Sequence, residues 1–402
     1  MRFRLSTLQR IDRDLGPWAC AGLQPLRWVR ARRPPEAPVR SILAVKFWGI
    51  GSLVLLGPAL RALRERHPRA RIDLLTLEGN APLARLLPAL DGVVTVRLDG
   101  GPLRIACRLL ALIAELRADR YDLLLDFEFF TRFSAILAFL SGARRTVGYW
   151  APSVYRGDLH DERVPFNRYW HVTRNFRALA GGGDEPVTAA DLLRPRIGEA
   201  ARSRAARLER SLGGGEERPL VLLNPNAGDL ALERRWPADH FAALAERLSL
   251  DAAVAWIGAP SERPYVESVR ARLARPESTV DLAGELSIEE LLALLERARL
   301  LVTNDSGPLH LASAVATPTI ALFGPETPVM YGPLHPRAVT FYRPPPCSPC
   351  INVHENKMHA CYFSRAECLV RIPPEEVLAA ARELLAETRF SAARRMPVPA
   401  SS

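Results

Sequence analysis

The residues with the clearest chemical potential lie in the segment TNDSGPLHLASA, which begins at Thr303. A strand-like run ends there and a helix-like run begins, and Asp305 or Ser306 can cap that helix. Gly307 would let a ligand approach the backbone, and the first N–H groups of a helix attract phosphate. His310 falls within the first turn. The segment predicts an anion-binding helix start, although an ordinary capped helix that contains a histidine has the same pattern.

A second polar segment, NPNAGDLALERRWPADHF, also precedes a helix-like run. Arg234 and Arg235 end this loop, and guanidinium groups match phosphate oxygens in geometry and charge. A solvated basic pair is the alternative interpretation. Further along, Glu262 in GAPSERP would either accept a hydrogen bond from a ribose hydroxyl or cap its own helix.

Two carboxylates, Asp126 and Glu128, stand at the end of a strand-like run in LLLDFEFFTRFS. Alternate positions on a strand face the same side, so we expect both carboxylates at one edge of a sheet. A carboxylate in a cleft can act as a general base once its pKa is tuned. An ion pair with Arg132 is the structural alternative.

A glycine-containing turn, Gly49-Ile50-Gly51, interrupts the segment SILAVKFWGIGSLVLLGPAL. Such a turn holds backbone N–H groups open towards a ligand. Its neighbour is Ser52, and a neutral serine does not take a proton at physiological pH without a base of its own.

Metal chemistry is suggested at two places. A Cys-x-x-Cys pair and two later cysteines could close a tetrahedral zinc site, with His354 or His359 as alternative ligands; free buried thiols and a disulfide are the competing interpretations. The cysteines are Cys347, Cys350, Cys361 and Cys368. Asp12 and Asp14 form an Asp-x-Asp pair, but in a basic segment that precedes the first strand-like run, and we do not expect them to bind a metal.

The elements that must position these groups alternate between strand and helix from Ser41 onwards. This alternation predicts an α/β fold with parallel sheets covered by helices. Glycine clusters in AGGGDEP and SLGGGEERP predict a linker, after which a second alternating series begins. Ligands of such sheets bind at the carboxyl ends of strands, where every loop named above should lie. Residues 149–175, rich in aromatics and arginine, are predicted to form a long ligand-contacting loop.

The net charge of +10 is concentrated at the two ends of the 402-residue chain. Residues 1–40 carry nine arginines against three acidic residues and residues 389–402 carry three arginines, which leaves a net +1 on residues 41–388. A basic segment with spaced leucines and tryptophans suits an anionic membrane surface; a solvated, partly disordered arm is the alternative. Nucleic-acid binding is not expected, because no interleaved basic and aromatic pattern recurs in residues 41–388.

We expect a cytoplasmic protein. No apolar run approaches the roughly 20 residues that span a bilayer. The first 30 residues lack the apolar core of a signal peptide, and the six cysteines are not spaced like a secreted disulfide framework.

In order along the chain, these segments resemble glycosyltransferase family 9, the heptosyltransferase family, from about Ser41 to about Leu385. The motifs that carry the resemblance are GIGSLVLLGPALRALRERHP, YDLLLDFE with SGARRTVGY, NPNAGD with RRWPADHFAALAERL, and TNDSGPLHLASAVATPTIALFGPETP. The resemblance implies a GT-B fold of two facing Rossmann-like domains. Residues 41–195 would bind the acceptor and residues 196–388 the nucleotide sugar, between the basic arm 1–40 and the basic tail 389–402.

The resemblance further implies an inverting transfer of heptose or a related sugar from a nucleotide-diphosphate sugar, with ADP-heptose as one candidate. The acceptor would be a lipopolysaccharide core or another lipid-linked saccharide, and no metal or cofactor would be required. The enzyme would work in the cytoplasm, peripherally on the inner face of the bacterial inner membrane. The donor contacts of the family correspond here to Asn226, Arg234, Glu262, Asp305, Ser306, Gly307 and His310.

One position departs from the family. The first glycine-rich turn of the family usually ends in Gly-Asp, and that aspartate is assigned as the base for the acceptor hydroxyl, whereas this chain has Gly51-Ser52. Glu128 or Asp126 could supply the base, or Ser52 could position the acceptor while leaving-group stabilisation carries most of the barrier. Alternatively, the protein could be a catalytically silent nucleotide-sugar-binding protein of the same fold. An epimerase or phosphorylase would need further acid/base carboxylates in the glycine-rich loops of the second half.

Overall fold

The computed structural model describes residues 5–29, 38–215, 217–228, 231–351 and 361–393. The chain divides into two compact units, with the main division between Arg196 and Ile197. Each unit is built on its own parallel sheet.

The first unit contains six parallel strands in the order β3-β2-β1-β4-β5-β6. They are β1 (Ser41–Val45), β2 (Arg71–Leu77), β3 (Gly92–Val96), β4 (Leu123–Asp126), β5 (Arg145–Trp150) and β6 (Glu162–Pro165). The helices of this unit are α1 (Leu5–Leu23), α2 (Leu26–Val29), α3 (Ile50–Leu55), α4 (Gly57–Arg66), α5 (Ala81–Ala84), α6 (Pro102–Asp119), α7 (Arg132–Leu140) and α8 (Val172–Leu179). Apolar side chains of the central strands, such as Leu43, Val45 and Leu124, pack with α6 and α7 to form a core.

The second unit repeats the same topology, with six parallel strands in the order β12-β11-β10-β7-β8-β9. They are β7 (Leu220–Asn224), β8 (Ala253–Trp256), β9 (Thr279–Asp281), β10 (Leu300–Asn304), β11 (Thr319–Phe323) and β12 (Ala338–Tyr342). Its helices are α9 (Glu199–Ser211), α10 (Ala238–Leu248), α11 (Arg263–Arg270), α12 (Ile288–Arg297), α13 (Gly307–Val315), α14 (Pro328–Tyr331), α15 (Glu367–Val370) and α16 (Pro374–Ala393). Trp236, Phe241 and Trp256 are fully buried in its core.

The strand orders confirm the predicted α/β class and define where ligands should bind. In each unit the first and fourth strands lie side by side, β1 beside β4 and β7 beside β10. The chain runs outward in opposite directions from this pair, and ligands of such sheets bind in the crevice that this reversal opens at the carboxyl ends. The ends of these four strands and the loops after them contain most of the residues singled out from the sequence; Glu262 instead follows β8, and the four cysteines follow β12.

Two features of the first unit differ from the sequence-based expectation. Residues 149–175 are not one continuous loop, because they include the end of β5, all of β6 and the start of α8. Phe166, directly after β6, packs on Phe129 and Tyr149, with ring centroids 5.4 and 5.2 Å away. The described part of the basic segment, residues 5–29, is helical, and α1 packs on α7.

Across the described ranges, no helix combines the length and the apolar character needed to cross a membrane. His354, His359 and the end of the basic tail, residues 394–402, lie outside the described residues.

Candidate functional site

The turn after β1 begins at Gly49, whose φ of +83° is one that glycine adopts readily. A Cβ at this position would lie 3.0 Å from Ser52 Oγ. The N–H of Ser52 donates to the carbonyl of Gly49 over 3.0 Å, which closes the turn. Gly51 is buried in the first turn of α3. The serine therefore lies within the turn, at the carboxyl edge of the sheet.

Glu128 holds the backbone that leads into this turn. Its Oε1 accepts hydrogen bonds from Lys46 Nζ at 2.8 Å and from the N–H groups of Phe47 at 2.5 Å and Trp48 at 3.0 Å. Both charged side chains of the pair are almost completely buried. The ammonium of Lys46 also lies 4.8 Å from the ring centroid of Phe129. One carboxylate oxygen thus anchors three donors from the end of β1.

Asp126 is fully buried and lies in a separate polar network. Its Oδ2 accepts hydrogen bonds from Arg156 Nη2 at 2.5 Å and Ser134 Oγ at 2.9 Å, and lies 3.1 Å from His160 Nε2. Burial opposes ionisation, but the Arg156 charge and the His160 contact outweigh it and hold the pKa of Asp126 below its usual value. Burial and the Arg156 charge lower the pKa of His160, although the hydrogen bond to Asp126 opposes that shift. A carboxylate held in this way is a poor proton acceptor.

The structural alternative, an ion pair of one of these carboxylates with Arg132, is half right: both are in ion pairs, but with other cations. The cations that meet them are Lys46 for Glu128 and Arg156 for Asp126. Arg132 begins α7 and pairs instead with Asp12 of α1, whose carboxylate is 3.7 Å from Arg132 Nη1. The reason is that α1 covers this end of α7 and supplies a closer acid.

An aromatic and basic surface follows β6 at the same edge of the sheet. The side chain of Asn175 accepts from the N–H of Asn167 at 2.9 Å and donates to its carbonyl at 2.8 Å, which fixes the segment. The guanidinium of Arg174 lies 3.7 Å from the ring centroid of Trp170. Tyr169 is largely exposed, and Arg168 stacks on it.

In the second unit, α13 begins directly after β10 and its turn. Ser306 occupies the N-cap position, but its side chain does not cap the helix. Ser306 Oγ instead accepts from Asn224 Nδ2 at 2.8 Å, and it lies 3.2 Å from the carbonyl of Asn304. The first N–H groups of a helix have no partner four residues earlier, so an uncapped start such as this one can offer donors to an anion. Here Pro308 has no N–H and the N–H of Leu309 donates to the Ser306 carbonyl over 3.2 Å, so the donor at this start is the N–H of Gly307. Gly307 opens the helix, and His310 is buried within the first turn.

The two adjacent arginines of the NPNAGD loop have different roles. Arg234 Nη1 donates to the Asp305 carbonyl at 2.9 Å and lies 3.3 Å from Asp305 Oδ2, while Nη2 donates to the Ala227 carbonyl at 2.6 Å. The guanidinium of Arg235 lies 3.8 Å from the ring centroid of Tyr265. Of the two arginines, Arg234 lies beside the start of α13, whereas Arg235 stacks on Tyr265.

Asn226 and Glu262 meet around Gly258, where a Cβ would lie 2.7 Å from Asn226 Nδ2 and 3.4 Å from Glu262 Cβ. Asn226 is buried and donates to the carbonyl of Ile257 at 3.1 Å; within the described ranges, its Oδ1 has no hydrogen-bond partner. Glu262 Oε2 accepts from the N–H of Ala259 at 2.7 Å, the capping contact predicted as one alternative.

The four cysteines near the carboxyl end carry free thiols. Cys347 is exposed, Cys350 and Cys361 are half-buried, and Cys368 is buried. Burial, together with the neighbouring cysteines, raises the pKa of the Cys368 thiol to about 12. Among the described residues, no group of histidine, cysteine or acidic side chains has the geometry of a metal site.

Sequence reasoning missed three ionisable residues of the first unit, Lys46, Arg156 and His160. Lys46 interrupts the apolar run SILAVKFW, and a lysine inside a buried strand is a signal that a carboxylate partner is near. Arg156 and His160 gave no such signal, because they lie in an irregular segment 30 and 34 residues from Asp126.

Comparison with known proteins identifies the family. The model of glycosyltransferase family 9 (heptosyltransferase) matches residues 109–360. The chain belongs to glycosyltransferase family 9. This family 9 protein is accordingly a glycosyltransferase enzyme.

The curated relatives of this family 9 enzyme cover most of its length. Lipopolysaccharide heptosyltransferase 2 of Escherichia coli K12 is 29% identical over 301 residues, which is 72% of this chain and 84% of the relative. Lipooligosaccharide heptosyltransferase 2 of Haemophilus influenzae is 29% identical over 346 residues, which is 84% of this chain and 97% of the relative.

Solved structures show the shared fold. The ADP-heptose heptosyltransferase II of E. coli matches with a TM-score of 0.69 at 22% identity, over 87% of this chain and 99% of that one. A family 9 glycosyltransferase from Veillonella parvula matches with a TM-score of 0.70 at 24% identity, over 87% of this chain and 97% of that one. The predicted GT-B fold class is thereby confirmed.

Proposed function

We propose that this enzyme transfers heptose or a related sugar from a nucleotide-diphosphate sugar, such as ADP-heptose, to a lipopolysaccharide core or another lipid-linked saccharide. The transfer is inverting and requires no metal. The observation that carries the proposal is the uncapped start of α13 with Arg234 and Asp305 beside it, at the β7–β10 switch point of a family 9 enzyme. The curated names of the relatives, lipopolysaccharide and lipooligosaccharide heptosyltransferase 2, support the choice of sugar and acceptor.

The donor diphosphate binds at the start of α13 in this proposal. The N–H of Gly307 and the guanidinium of Arg234 are oriented before the donor arrives, because Gly307 begins α13 and Arg234 is already held by Asp305 and by the carbonyl of Ala227. Negative charge develops on the diphosphate as its bond to the sugar breaks, and donors that are already oriented stabilise that charge. His310 lies in the same turn and contacts the phosphate or the sugar.

The acceptor hydroxyl attacks the anomeric carbon from the face opposite the diphosphate. The new C–O bond forms as the bond to the phosphate oxygen breaks and that oxygen keeps the electron pair, and the hydroxyl proton passes to solvent water. Asp126 is too deeply paired with Arg156 to receive that proton, and Glu128 already accepts three hydrogen bonds. Ser52 therefore positions the acceptor, and stabilisation of the leaving group provides most of the lowering of the activation barrier.

The acceptor is recognised by the amino-terminal unit. Arg168, Tyr169, Trp170 and Arg174 form an aromatic and basic surface at the carboxyl edge of its sheet. Aromatic faces pack on sugar rings, and guanidinium groups bind the phosphates or carboxylates that an anionic saccharide carries. The enzyme works peripherally at the cytoplasmic face of the inner membrane, to which the basic segment 1–40 brings it.

The test replaces Asp305 and His310 separately with alanine and measures sugar transfer from ADP-heptose to a purified lipopolysaccharide core. We expect each variant to lose activity by about a hundredfold, as is usual when a preorganised electrostatic group is removed. Asp239→Ala is the control, because Asp239 makes an exposed ion pair with Arg272. Undiminished turnover in both variants would overturn the assignment.

A second candidate function is nucleotide-sugar binding without transfer. The observation that favours it is that Ser52 replaces the family carboxylate while Asp126 and Glu128 are both committed to buried ion pairs. A thermal-shift panel of nucleotide diphosphates and nucleotide sugars reveals binding, because a ligand of the folded state raises its stability. Binding of ADP-heptose with no transfer to any lipid or saccharide extract would select this candidate.

A further inference from the structure

Helix α1 is firmly attached to the first unit by one face. The carboxylate of Asp12 accepts from the N–H groups of Arg132 at 3.1 Å and Phe133 at 2.7 Å, so it caps the start of α7. Gly16 lies against the side chain of Arg132, where a Cβ would be only 2.7 Å from Arg132 Cβ. Cys20 is fully buried in a small apolar cluster with α7.

The opposite face of α1 is apolar and exposed. Ile11, Leu15 and Trp18 are 46%, 62% and 78% exposed. Their spacing of four and three residues places them along one side of the helix. We call these three residues the α1 stripe. Three large exposed side chains in line on one helix are unlike the scattered apolar residues of an ordinary surface.

The sequence segment that contains the α1 stripe is basic. On α1 itself, Arg10 and Arg13 are exposed near the stripe, and Arg13 pairs with Asp14. By sequence, residues 1–40 have a net charge of +6, whereas residues 41–388 have a net charge of only +1. An apolar helix face with a tryptophan and flanking arginines has the chemistry of a helix that lies in the interface of an anionic bilayer.

The stripe also lies near the acceptor side of the unit. Helix α7 begins at the carboxyl edge of the sheet, because it follows β4 after the loop that contains Glu128. Asp12 caps that beginning, and Cys20 packs further along α7 beside Ala135 and Phe139. The Ile11 end of α1 is therefore at the same edge as the Gly49–Ser52 turn.

We propose that the α1 stripe inserts into the interface of an anionic phospholipid bilayer and holds the acceptor edge of the first unit at the membrane. The inference rests on the proposed function for one point, the reason for this placement: the enzyme must reach a lipid-linked acceptor at a membrane. The proposed partner of the α1 stripe is a bilayer with negatively charged headgroups. The competing partner is a second copy of the chain that binds through the same stripe, and the experiment distinguishes the two.

The test is a flotation assay of the full chain with vesicles of phosphatidylcholine alone or with phosphatidylglycerol added, without any sugar substrate. We expect binding to the anionic vesicles and a loss of about tenfold or more in the bound fraction for Leu15→Glu/Trp18→Glu, since burial of both side chains in the interface is lost. The matched control is Leu103→Glu/Leu110→Glu on α6, where both leucines are similarly exposed, at 80% and 67%.

Three results would overturn the proposal. The wild-type chain could fail to bind anionic vesicles, the α1 double variant could bind as well as wild type, or the α6 variant could be the one that loses binding. Sedimentation velocity shows whether the stripe joins two copies instead. In that case the wild-type chain would sediment as a dimer and the α1 variant as a monomer. Transfer to a delipidated, soluble acceptor should be unchanged in the α1 variant, so failure of this inference and failure of the proposed function give different results.

Discussion

Lys46 and Glu128 form a buried ion pair at the carboxyl ends of the neighbouring strands β1 and β4, with 2.8 Å between Nζ and Oε1. The same carboxylate oxygen accepts from the N–H groups of Phe47 and Trp48, the last residues before Gly49. The pair therefore determines where the turn before Ser52 begins. In the mechanism we propose, Glu128 acts on the reaction through this turn, as a positioning residue.

Breaking this pair should destabilise the protein. We expect Glu128→Gln to lower the free energy of unfolding by about 3–5 kcal/mol in urea denaturation, because it leaves Lys46 charged and buried without its partner. Adding Lys46→Met should recover much of this loss. Glu162→Gln is the control, since its ion pair with Arg145 is exposed and should matter by less than about 1 kcal/mol. If Glu128 were instead the catalytic base, Glu128→Gln would abolish the acid limb of the pH–rate profile while leaving stability intact.

Ser52→Asp should raise the rate of transfer. The substitution places a carboxylate where the family assigns its base, and general-base catalysis typically contributes about 10²–10⁴-fold. We expect kcat to increase by about tenfold or more, with activity rising as the new carboxylate ionises. Ser52→Asn has a similar size without the charge and should give no increase. A fall in kcat for the aspartate variant would show that proton removal depends on another group.

Arg234→Gln should weaken donor binding, whereas Arg235→Gln should not. Arg234 contacts Asp305 at the start of α13, while the neighbouring Arg235 stacks on Tyr265. Loss of a charge-assisted contact to phosphate should raise the KM for the nucleotide sugar by about tenfold. Steady-state kinetics at varied donor concentration checks this, with thermal unfolding to confirm that both variants fold. Equal effects of the two substitutions would contradict the separation of their roles.

Stability should fall as the pH drops below about 6.5, the ordinary pKa of histidine. The pKa of buried His160 is held below that value, so the unfolded chain takes up a proton in a range where the folded protein does not. The stabilisation is complete above the unfolded pKa and is lost as the pH falls towards the folded one. His160→Gln should flatten this slope in thermal unfolding between pH 7.5 and 5.5 while keeping a donor for Asp126. An unchanged slope would show that other groups cause it.

The parts of the fold that could be predicted from the sequence are the buried ones. The central strands β1, β4, β7 and β10 are buried along almost their whole length because both faces of a parallel sheet are covered, and the apolar runs within them are visible in the sequence. The edge strands β6 and β9 are short, with the sequences ERVP and TVD, and they contain no such run. Edge strands bury fewer side chains, so their hydrophobic pattern is weak.

The sequence by itself determined the α/β alternation, the family and the residues that surround the predicted donor site, because these depend on local order along the chain. Tertiary structure alone decided the partner of each charge. Lys46 and Glu128 are 82 residues apart, and they meet only because β1 and β4 are neighbours in the sheet. In the same way, Asp12 reaches α7 only because α1 folds back onto it. Strand order and helix docking depend on the packing of the whole unit, and a local sequence pattern does not predict that packing.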